Sequence, residues 1–313
     1  MRLVKKNLYL SVTIDTEMDK MPNWYNSNPV TFKGVLQAIP NKLTPLFEKY
    51  SIKPTYMLSP EVIENEDCVK VLKELTNCEL AAHLHGDFIE PNPRKEQISG
   101  AYIKEMQCEY DNETEYKKLE NLTNLFYEKI GYKPFSFRAG RYGIGKYSGK
   151  ALMELGYKLD TSVTPNIIWT DSQGNKRPDF TDLPENPYYI NICGNIFKEG
   201  ESDFLEVPVT VVQNIEDENK YTNGAWLRPW YSHSDAMIKI IDNAVETANN
   251  SDEPQILVMM FHNVELVPKA SPYPQTDDDV VKYLNILEKI FMHTTGLNIK
   301  PVTLKEFYDI YKS

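Results

Sequence analysis

The chain has 313 residues, of which 41% are hydrophobic, 25% are charged and 12% are aromatic, a composition typical of a globular protein with a large core. Its net charge of -11 argues against nucleic acid as a partner, because phosphate binding requires a basic face. No stretch approaches the roughly 18 apolar residues of a membrane span, and the first residues lack the pattern of a secretory signal. With no Cys-x-x-Cys pair among the four cysteines, we expect a cytoplasmic protein with reduced thiols.

Strand and helix signals alternate along the first half of the chain. The run Leu8–Val12 predicts a buried strand that ends in two carboxylates, Asp15 and Glu17. The elements predicted next are a segment that is mostly loop over Trp24–Asn41, a helix over Asn41–Tyr50, a strand over Pro54–Leu58, a helix over Glu61–Leu75, a strand over Glu79–Leu84 and a polar loop over 86–114.

The second half continues the alternation. The predicted strands are Phe135–Arg138, Tyr157–Asp160, Phe204–Val209 and Gln255–Phe261, and the predicted helices are Glu115–Ile130, Lys146–Leu155, Asp235–Ala248, Asp277–Phe291 and Leu304–Tyr311. The stretch 165–203 is rich in Pro, Asn and Asp and indicates an inserted loop or hairpin. About seven strand–helix units predict an α/β fold with parallel strands, a barrel more than an open sheet, in a single domain spanning 1–313.

Polar side chains recur where the predicted strands end. In a parallel barrel all of these ends share one face, which is where such folds place their active sites. The candidates are Asp15, Glu17, His83, His85, Asp87, Arg138, Arg141, Tyr142, Asp160 and His262.

Two histidines, His83 and His85, stand two residues apart on an extended segment, so their side chains point the same way. A lone histidine at a strand end is more often structural, but two of them with Glu17 supply three or four N/O ligands for zinc or a similar divalent ion. Arg138 and Arg141 fit either surface ion pairs or a planar fork that fixes a carboxylate.

These residues, in this order, resemble the polysaccharide deacetylase family, carbohydrate esterase family four or the NodB-homology group. The likeness spans roughly residues 8–310. The segments that carry it are Ile52–Leu58, Glu79–His83, Phe137–Gly143, Asp160–Val163 and Phe261–Leu266 followed by Ser271–Tyr273. The last of these is most similar to a branch found with bacterial surface-polysaccharide genes.

The resemblance implies a distorted (β/α)7 barrel, NodB-like and related to TIM barrels, that hydrolyses an N-acetyl group on a sugar with the help of a metal. It implies that Asp15 is the catalytic base and that His262 is the general acid for the leaving amine. It also implies that Arg138 or Arg141 orients Asp15, and that the backbone amide of Tyr142 helps to hold the oxyanion.

The chain departs from the family pattern at the expected metal ligands. Thr16 follows Asp15 where the family has adjacent aspartates, so Glu17 is the expected ligand. The family also has two histidines four residues apart, whereas Asp87 lies four residues after His83. The third ligand is therefore either His85 or Asp87, and the metal is expected to be Zn²⁺, with Co²⁺, Mn²⁺ and Ni²⁺ as alternatives.

The resulting hypothesis is an N-deacetylase of surface-polysaccharide biosynthesis whose substrate is a nucleotide-linked, lipid-linked or oligosaccharide N-acetyl sugar. One alternative is an amidohydrolase that cleaves a C–N bond in a small non-sugar amide. Another is a barrel that binds sugar without hydrolysing it. Aromatic residues such as Trp24, Tyr25, Trp226 and Trp230 favour a sugar only weakly, since aromatic residues also fill cores.

Overall fold

The computed structural model describes residues 7–93, 104–171, 173–215, 217 and 224–313. Within them the chain forms two compact units. The first unit comprises the described parts of Met1–Tyr56, Leu75–Glu79 and Val209–Ser313, and the second comprises those of Met57–Glu74 and Leu80–Pro208. Part of the predicted loop over 86–114, residues 94–103, lies outside the described residues. The single-domain assignment stays a prediction.

Strands and helices alternate along the chain. The strands are β1 (Leu8–Thr16), β2 (Pro54–Leu58), β3 (Glu79–Leu84), β4 (Ser136–Ala139), β5 (Leu159–Asp160), β6 (Ile168–Thr170), β7 (Lys176–Asp179), β8 (Tyr188–Tyr189), β9 (Leu205–Glu206), β10 (Val211–Val212), β11 (Ala225–Trp226), β12 (Gln255–His262) and β13 (Lys300–Pro301). The α-helices are α1 (Thr44–Tyr50), α2 (Pro60–Glu64), α3 (Glu66–Glu74), α4 (Asn112–Ile130), α5 (Ser148–Leu155), α6 (Ser234–Asn249), α7 (Asp277–Gly296) and α8 (Leu304–Lys312).

The first unit is built around β1, which pairs in parallel with β12 and with β13. All nine residues of β1 are buried, as expected of a strand covered on both faces. Helix α6 packs against β1 and β12 and also against α7. The parallel register of β1 and β12 places the polar residues at their carboxyl ends side by side.

The second unit contains β3, β4, β5 and β9, each parallel to the next, with β8 antiparallel to β9. Helix α4 packs against α2 and α5. The predicted insertion at 165–203 includes an antiparallel hairpin formed by β6 and β7. The parallel pairing in both units confirms the predicted α/β class with parallel strands.

The predicted loop over Trp24–Asn41 is wrong at its end, because a π-helical segment, Gly34–Leu43, precedes α1. The carboxylate of Asp19 accepts hydrogen bonds from the backbone amides of Lys33 (2.7 Å) and Gly34 (2.9 Å). These amides would otherwise lack a partner at the start of the helix. Asp19 lies 14 residues before Lys33, the residue at the N-cap position, so local pattern alone does not reveal it.

The predicted helix over Glu61–Leu75 is also wrong, since it divides into α2 and α3 at Asn65. Asn65 adopts an extended conformation (ψ 114°), and its side chain accepts a hydrogen bond from the backbone amide of Cys68 at 2.9 Å. The asparagine therefore ends one helix and caps the next, which is the competition between side chain and backbone that disfavours it within a helix.

Candidate functional site

Asp15 and His262 lie directly opposite each other, because the parallel register of β1 and β12 pairs these two residues. The Nε2 atom of His262 lies 3.9 Å from an oxygen of Asp15 and 3.8 Å from an oxygen of Glu17. Both carboxylates are buried, and the His262 side chain is 14% exposed. The first unit therefore brings together three of the residues predicted from sequence.

The other ring nitrogen of His262 faces Glu265, whose carboxylate oxygen lies 2.8 Å from Nδ1. A carboxylate can only accept, so we assign the proton to Nδ1, which leaves Nε2 directed at Asp15 and Glu17. A guanidinium nitrogen of Arg228 lies farther from Nδ1, at 3.3 Å, and donates to the same Glu265 oxygen at 3.1 Å. Glu265 thus fixes both the tautomer and the orientation of the imidazole.

Glu265 is completely buried and receives a third contact, because the hydroxyl of Tyr283 donates to its second oxygen at 3.0 Å. Burial raises the pKa of Tyr283 well above its usual value, and the charge of Glu265 raises it further. Tyr283 therefore remains a hydroxyl donor. The sequence analysis missed Glu265, Arg228 and Tyr283, although Glu265 stands three residues after His262 in the quoted motif.

Asn263, the residue after His262, fixes the backbone of Glu17 at both its amide and its carbonyl. The Asn263 side chain accepts from the Glu17 amide and donates to the Glu17 carbonyl, each at 2.9 Å. Lys20 lies 3.1 Å from one carboxylate oxygen of Glu17, and the other oxygen is the one near His262. One oxygen of Glu17 thus carries an ion pair, and the second faces the imidazole.

In the second unit, His83 is paired in register with Arg138 across β3 and β4. The Nδ1 atom of His83 lies 2.9 Å from the carbonyl oxygen of Arg138. Because a carbonyl can only accept, Nδ1 carries the proton and Nε2 keeps its lone pair, as in histidines that bind metals. The rings of His83 and His85 lie 4.8 Å apart, edge to face, and both residues are buried, as their spacing predicts.

Asp87 follows His85 in the turn Gly86–Phe88. Its nearer oxygen lies 3.9 Å from Nδ1 of His85, too far for a hydrogen bond, and has no hydrogen-bond partner among the residues that the structure describes. Both His85 and Asp87 thus remain candidates for the third metal ligand.

The loop that follows the histidines is anchored by Lys118, whose ammonium donates to the carbonyl oxygens of Gly86 (2.6 Å), Ile89 (2.7 Å) and Pro91 (2.6 Å). Burial lowers the pKa of Lys118 to about 8, against the opposing charges of Asp87 and Glu90. The three donors of the ammonium match the three carbonyls. This residue escaped the sequence analysis because nothing local marks a lysine on α4 as buried.

The two candidate arginines have different environments. Arg138 is completely buried, and its guanidinium donates to the carbonyl of Thr161 at 2.9 Å. The Arg141 side chain is 42% exposed and forms an ion pair with Glu105 at 2.8 Å. Tyr142 is buried and stacks on Trp169 at 5.2 Å. Of the two arginines, Arg138 has the environment of a site residue, and Arg141 that of a surface ion pair.

A pair of buried carboxyl groups, Asp160 and Glu206, lies close to Arg138. They are register partners across β5 and β9, and neither is exposed. Ser162 donates to Asp160 through its hydroxyl (2.7 Å) and its amide (3.0 Å). Burial raises the pKa of Glu206 well above its usual value, and the charge of Asp160 raises it further. The arrangement is that of two carboxyl groups which share one proton.

The donor atoms in both units suit a divalent metal. In the first unit Asp15, Glu17 and His262 each offer a ligand atom, and these atoms lie within 4.8 Å of one another. In the second unit His83 offers an imidazole with its tautomer already fixed, beside His85. Imidazole and carboxylate donors favour zinc and related ions.

No described helix is long and apolar enough to cross a membrane. No protein-family model matches the chain, and a search of curated proteins finds no match.

The chain is similar in fold to several solved structures. One is a probable polysaccharide deacetylase from Pseudomonas aeruginosa PAO1 (12% identity, TM-score 0.56, 97% of this chain and 90% of that chain). Another is Puue allantoinase (12% identity, TM-score 0.56, 97% and 89%). A third is a GH57-type branching enzyme from Pyrococcus horikoshii (10% identity, TM-score 0.54, 97% and 70%). The likeness confirms the predicted NodB-like α/β fold class, and at these identities it concerns the fold alone.

Proposed function

We propose that the chain is a metal-dependent hydrolase that removes the acetyl group from an N-acetylated sugar. The observation that carries the proposal is the register of β1 and β12, which pairs Asp15 with His262. Glu265 orients the imidazole through a hydrogen bond with Nδ1. A carboxylate and an oriented imidazole on one edge are the two groups that amide hydrolysis requires, one to accept a proton and one to donate it.

In the proposed reaction Asp15 takes a proton from the attacking water, whose oxygen forms a bond with the acetyl carbonyl carbon. His262 gives a proton from Nε2 to the sugar nitrogen as the C–N bond breaks, so the products are acetate and a free amine. Glu265 lies at Nδ1 and stabilises the positive charge that the imidazole carries before it donates. By resemblance to the family, Arg138 or Arg141 is assigned to orient the base, and the backbone amide of Tyr142 to hold the oxyanion. The burial of Arg138 favours it over the exposed Arg141.

The proposed metal ligands are Glu17 and His83 with either His85 or Asp87, and Zn²⁺ is the proposed ion, with Co²⁺, Mn²⁺ and Ni²⁺ as alternatives. A divalent ion held there would lower the pKa of its bound water toward about 7. The tautomer of His83 supports this assignment, since its Nδ1 is already engaged with the Arg138 carbonyl. Lys20 pairs with one carboxylate oxygen of Glu17, and the other oxygen faces His262.

The proposed setting is surface-polysaccharide assembly in the cytoplasm, with a nucleotide-linked, lipid-linked or oligosaccharide substrate. A second candidate is hydrolysis of a small non-sugar amide, which is favoured by the similarity in fold to an allantoinase.

A substrate panel separates these two functions. Purified protein is analysed for bound metal and then assayed for acetate release from UDP-linked and oligosaccharide N-acetyl sugars and, in parallel, for hydrolysis of allantoin. The proposal predicts stoichiometric divalent metal and acetate release from a sugar. Allantoin turnover without acetate release from any sugar would contradict it and favour the second candidate.

A further inference from the structure

Two tryptophans near His262 adopt a backbone conformation that bulky residues rarely take. Trp24 has φ +66° and Trp230 has φ +71°, both in the left-handed region. Such a conformation is costly for a bulky side chain, and strained residues of this kind cluster at active sites and ligand clamps. Both tryptophans belong to loops of the first unit, and both contact the same side chain, Tyr273.

The three aromatic side chains Trp24, Tyr273 and Trp230, here called the aromatic wall, begin at the proposed general acid. The Trp24 ring lies 5.2 Å from the His262 imidazole and 5.5 Å from the Tyr273 ring, which meets it edge-on. Trp230 stacks on Tyr273 at 5.7 Å, with 14° between the ring planes. Trp230 also stacks on Tyr283, whose hydroxyl donates a hydrogen bond to Glu265. The wall is thus continuous with the residues that orient His262.

The turn that carries Trp24 is held by backbone hydrogen bonds. The Met21 amide donates to the Tyr25 carbonyl at 2.6 Å, and the Trp24 amide donates to the Met21 carbonyl at 2.9 Å. The Lys20 amide donates to the Ala270 carbonyl, which ties this turn to the segment that leads to Tyr273. Trp24 and Tyr273 are both half-buried, so neither residue is enclosed in the core. A pair that served only to fill a core would be buried.

The charges around the wall restrict the chemistry of that ligand. Asp15 and Glu17 face Nε2 of His262, the histidine whose ring contacts Trp24. The positive charges of Lys20 and Arg228 are paired with Glu17 and Glu265. An anionic group against the wall would meet carboxylates whose nearest cations are already engaged. A neutral ligand with an apolar face and hydroxyl groups fits this environment, because its hydroxyls can donate to carboxylates.

We propose that the aromatic wall is a subsite for a pyranose ring, which stacks its C–H face on Trp24 beside the amide that is hydrolysed. The C–H hydrogens of a pyranose carry a slight positive charge and are attracted to the negative face of an aromatic ring. This inference rests on the proposed function and deepens it, because it names the residue against which the sugar ring of the substrate packs.

The test measures binding and kinetics separately. Tri-N-acetylchitotriose is titrated calorimetrically into wild-type protein, Trp24→Ala, Trp24→Phe and the control Tyr127→Ala, which removes an exposed aromatic ring from α4 in the second unit. We expect Trp24→Ala to weaken binding by about tenfold, which corresponds to about 1.4 kcal/mol. Trp24→Phe, which keeps a ring face, should lose less than about half of that free energy, and Tyr127→Ala should bind as wild type does.

Kinetics then distinguish this subsite from the proposed function. If the protein releases acetate from the trimer, Trp24→Ala should raise KM with little change in kcat, since the stacking is present in the ground state. Acetate release with an unchanged KM in Trp24→Ala, or equal affinity in the titrations, overturns the subsite and leaves the function standing. Binding that depends on Trp24 without acetate release overturns the function and leaves the subsite standing. A wild-type protein that binds no trimer overturns the subsite, and thermal unfolding of each variant verifies its fold.

Discussion

Glu265→Gln is the most informative single substitution, because it keeps the shape of the side chain and removes its charge, which has two separable roles. The glutamate orients His262 through Nδ1 at 2.8 Å and neutralises Arg228 at 3.1 Å, and the side chains of Glu265 and Arg228 are both buried. Removing one partner of a buried pair leaves an uncompensated charge and costs about 3–5 kcal/mol. We therefore expect the free energy of unfolding to fall by about 3 kcal/mol.

The same substitution should lower kcat by a factor of about 10²–10³, which is within the range that a general acid contributes. The amide of glutamine can still accept from Nδ1, but it no longer stabilises a positive imidazole. The assays are urea unfolding followed by fluorescence and acetate release from an N-acetyl sugar, both at fixed metal concentration.

A second substitution separates the two effects. Adding Arg228→Met to Glu265→Gln removes the orphaned charge, so stability should recover by about 2 kcal/mol or more while kcat stays low. Recovery of kcat together with stability would refute the reasoning, because Glu265 would then act on the fold alone. Normal kcat in the single variant would refute it as well.

Three further predictions concern the surroundings of the site. Glu206→Gln should leave activity intact and flatten the pH dependence of stability. Because the pKa of Glu206 is raised in the folded protein, this residue contributes to the free energy of unfolding of wild type below about pH 4.5, and the contribution is lost as the pH rises toward the folded-state pKa. Unfolding curves from about pH 5 to 8 measure this, and parallel slopes for the two proteins would contradict it. Lys118→Met should lower the free energy of unfolding by about 2–4 kcal/mol, since three carbonyls, two of them buried, lose their donor. A change under about 0.5 kcal/mol, typical of surface positions, would contradict that. Dialysis against a chelator should abolish acetate release and added Zn²⁺ should restore it, whereas full activity in metal-free protein would contradict the proposed metal.

The parallel strands of the site were predictable because their signal is local. The apolar run into Asp15 and the one into His262 mark two strand ends, and the parallel register then makes these residues neighbours. The side-by-side placement of His83 and His85 likewise follows from the two-residue period of an extended chain. Sequence thus predicts the carboxyl ends of β3 and β12.

The partners that orient these residues were not predictable, because they arrive from distant segments. Arg228 and Tyr283 reach Glu265 from 37 and 18 residues away, and Lys118 reaches Gly86 from 32 residues away. The sequence also left Arg138 and Arg141 equivalent, whereas one is buried against Thr161 and the other pairs with Glu105 at the surface. Burial of a charged side chain is a property of the tertiary packing, which no local pattern encodes.

We propose that Asp15 and His262 act as base and acid in hydrolysis of an N-acetyl sugar. The most direct measurement is acetate release by metal-loaded Asp15→Asn and His262→Ala, compared with two control variants that alter matched residues on the outer helices, Asp235→Asn on α6 and His293→Ala on α7. We expect each site substitution to lower kcat by a factor of at least about 10², while both controls keep wild-type rates and all four variants bind metal. Acetate release at the wild-type rate in Asp15→Asn or in His262→Ala would contradict it.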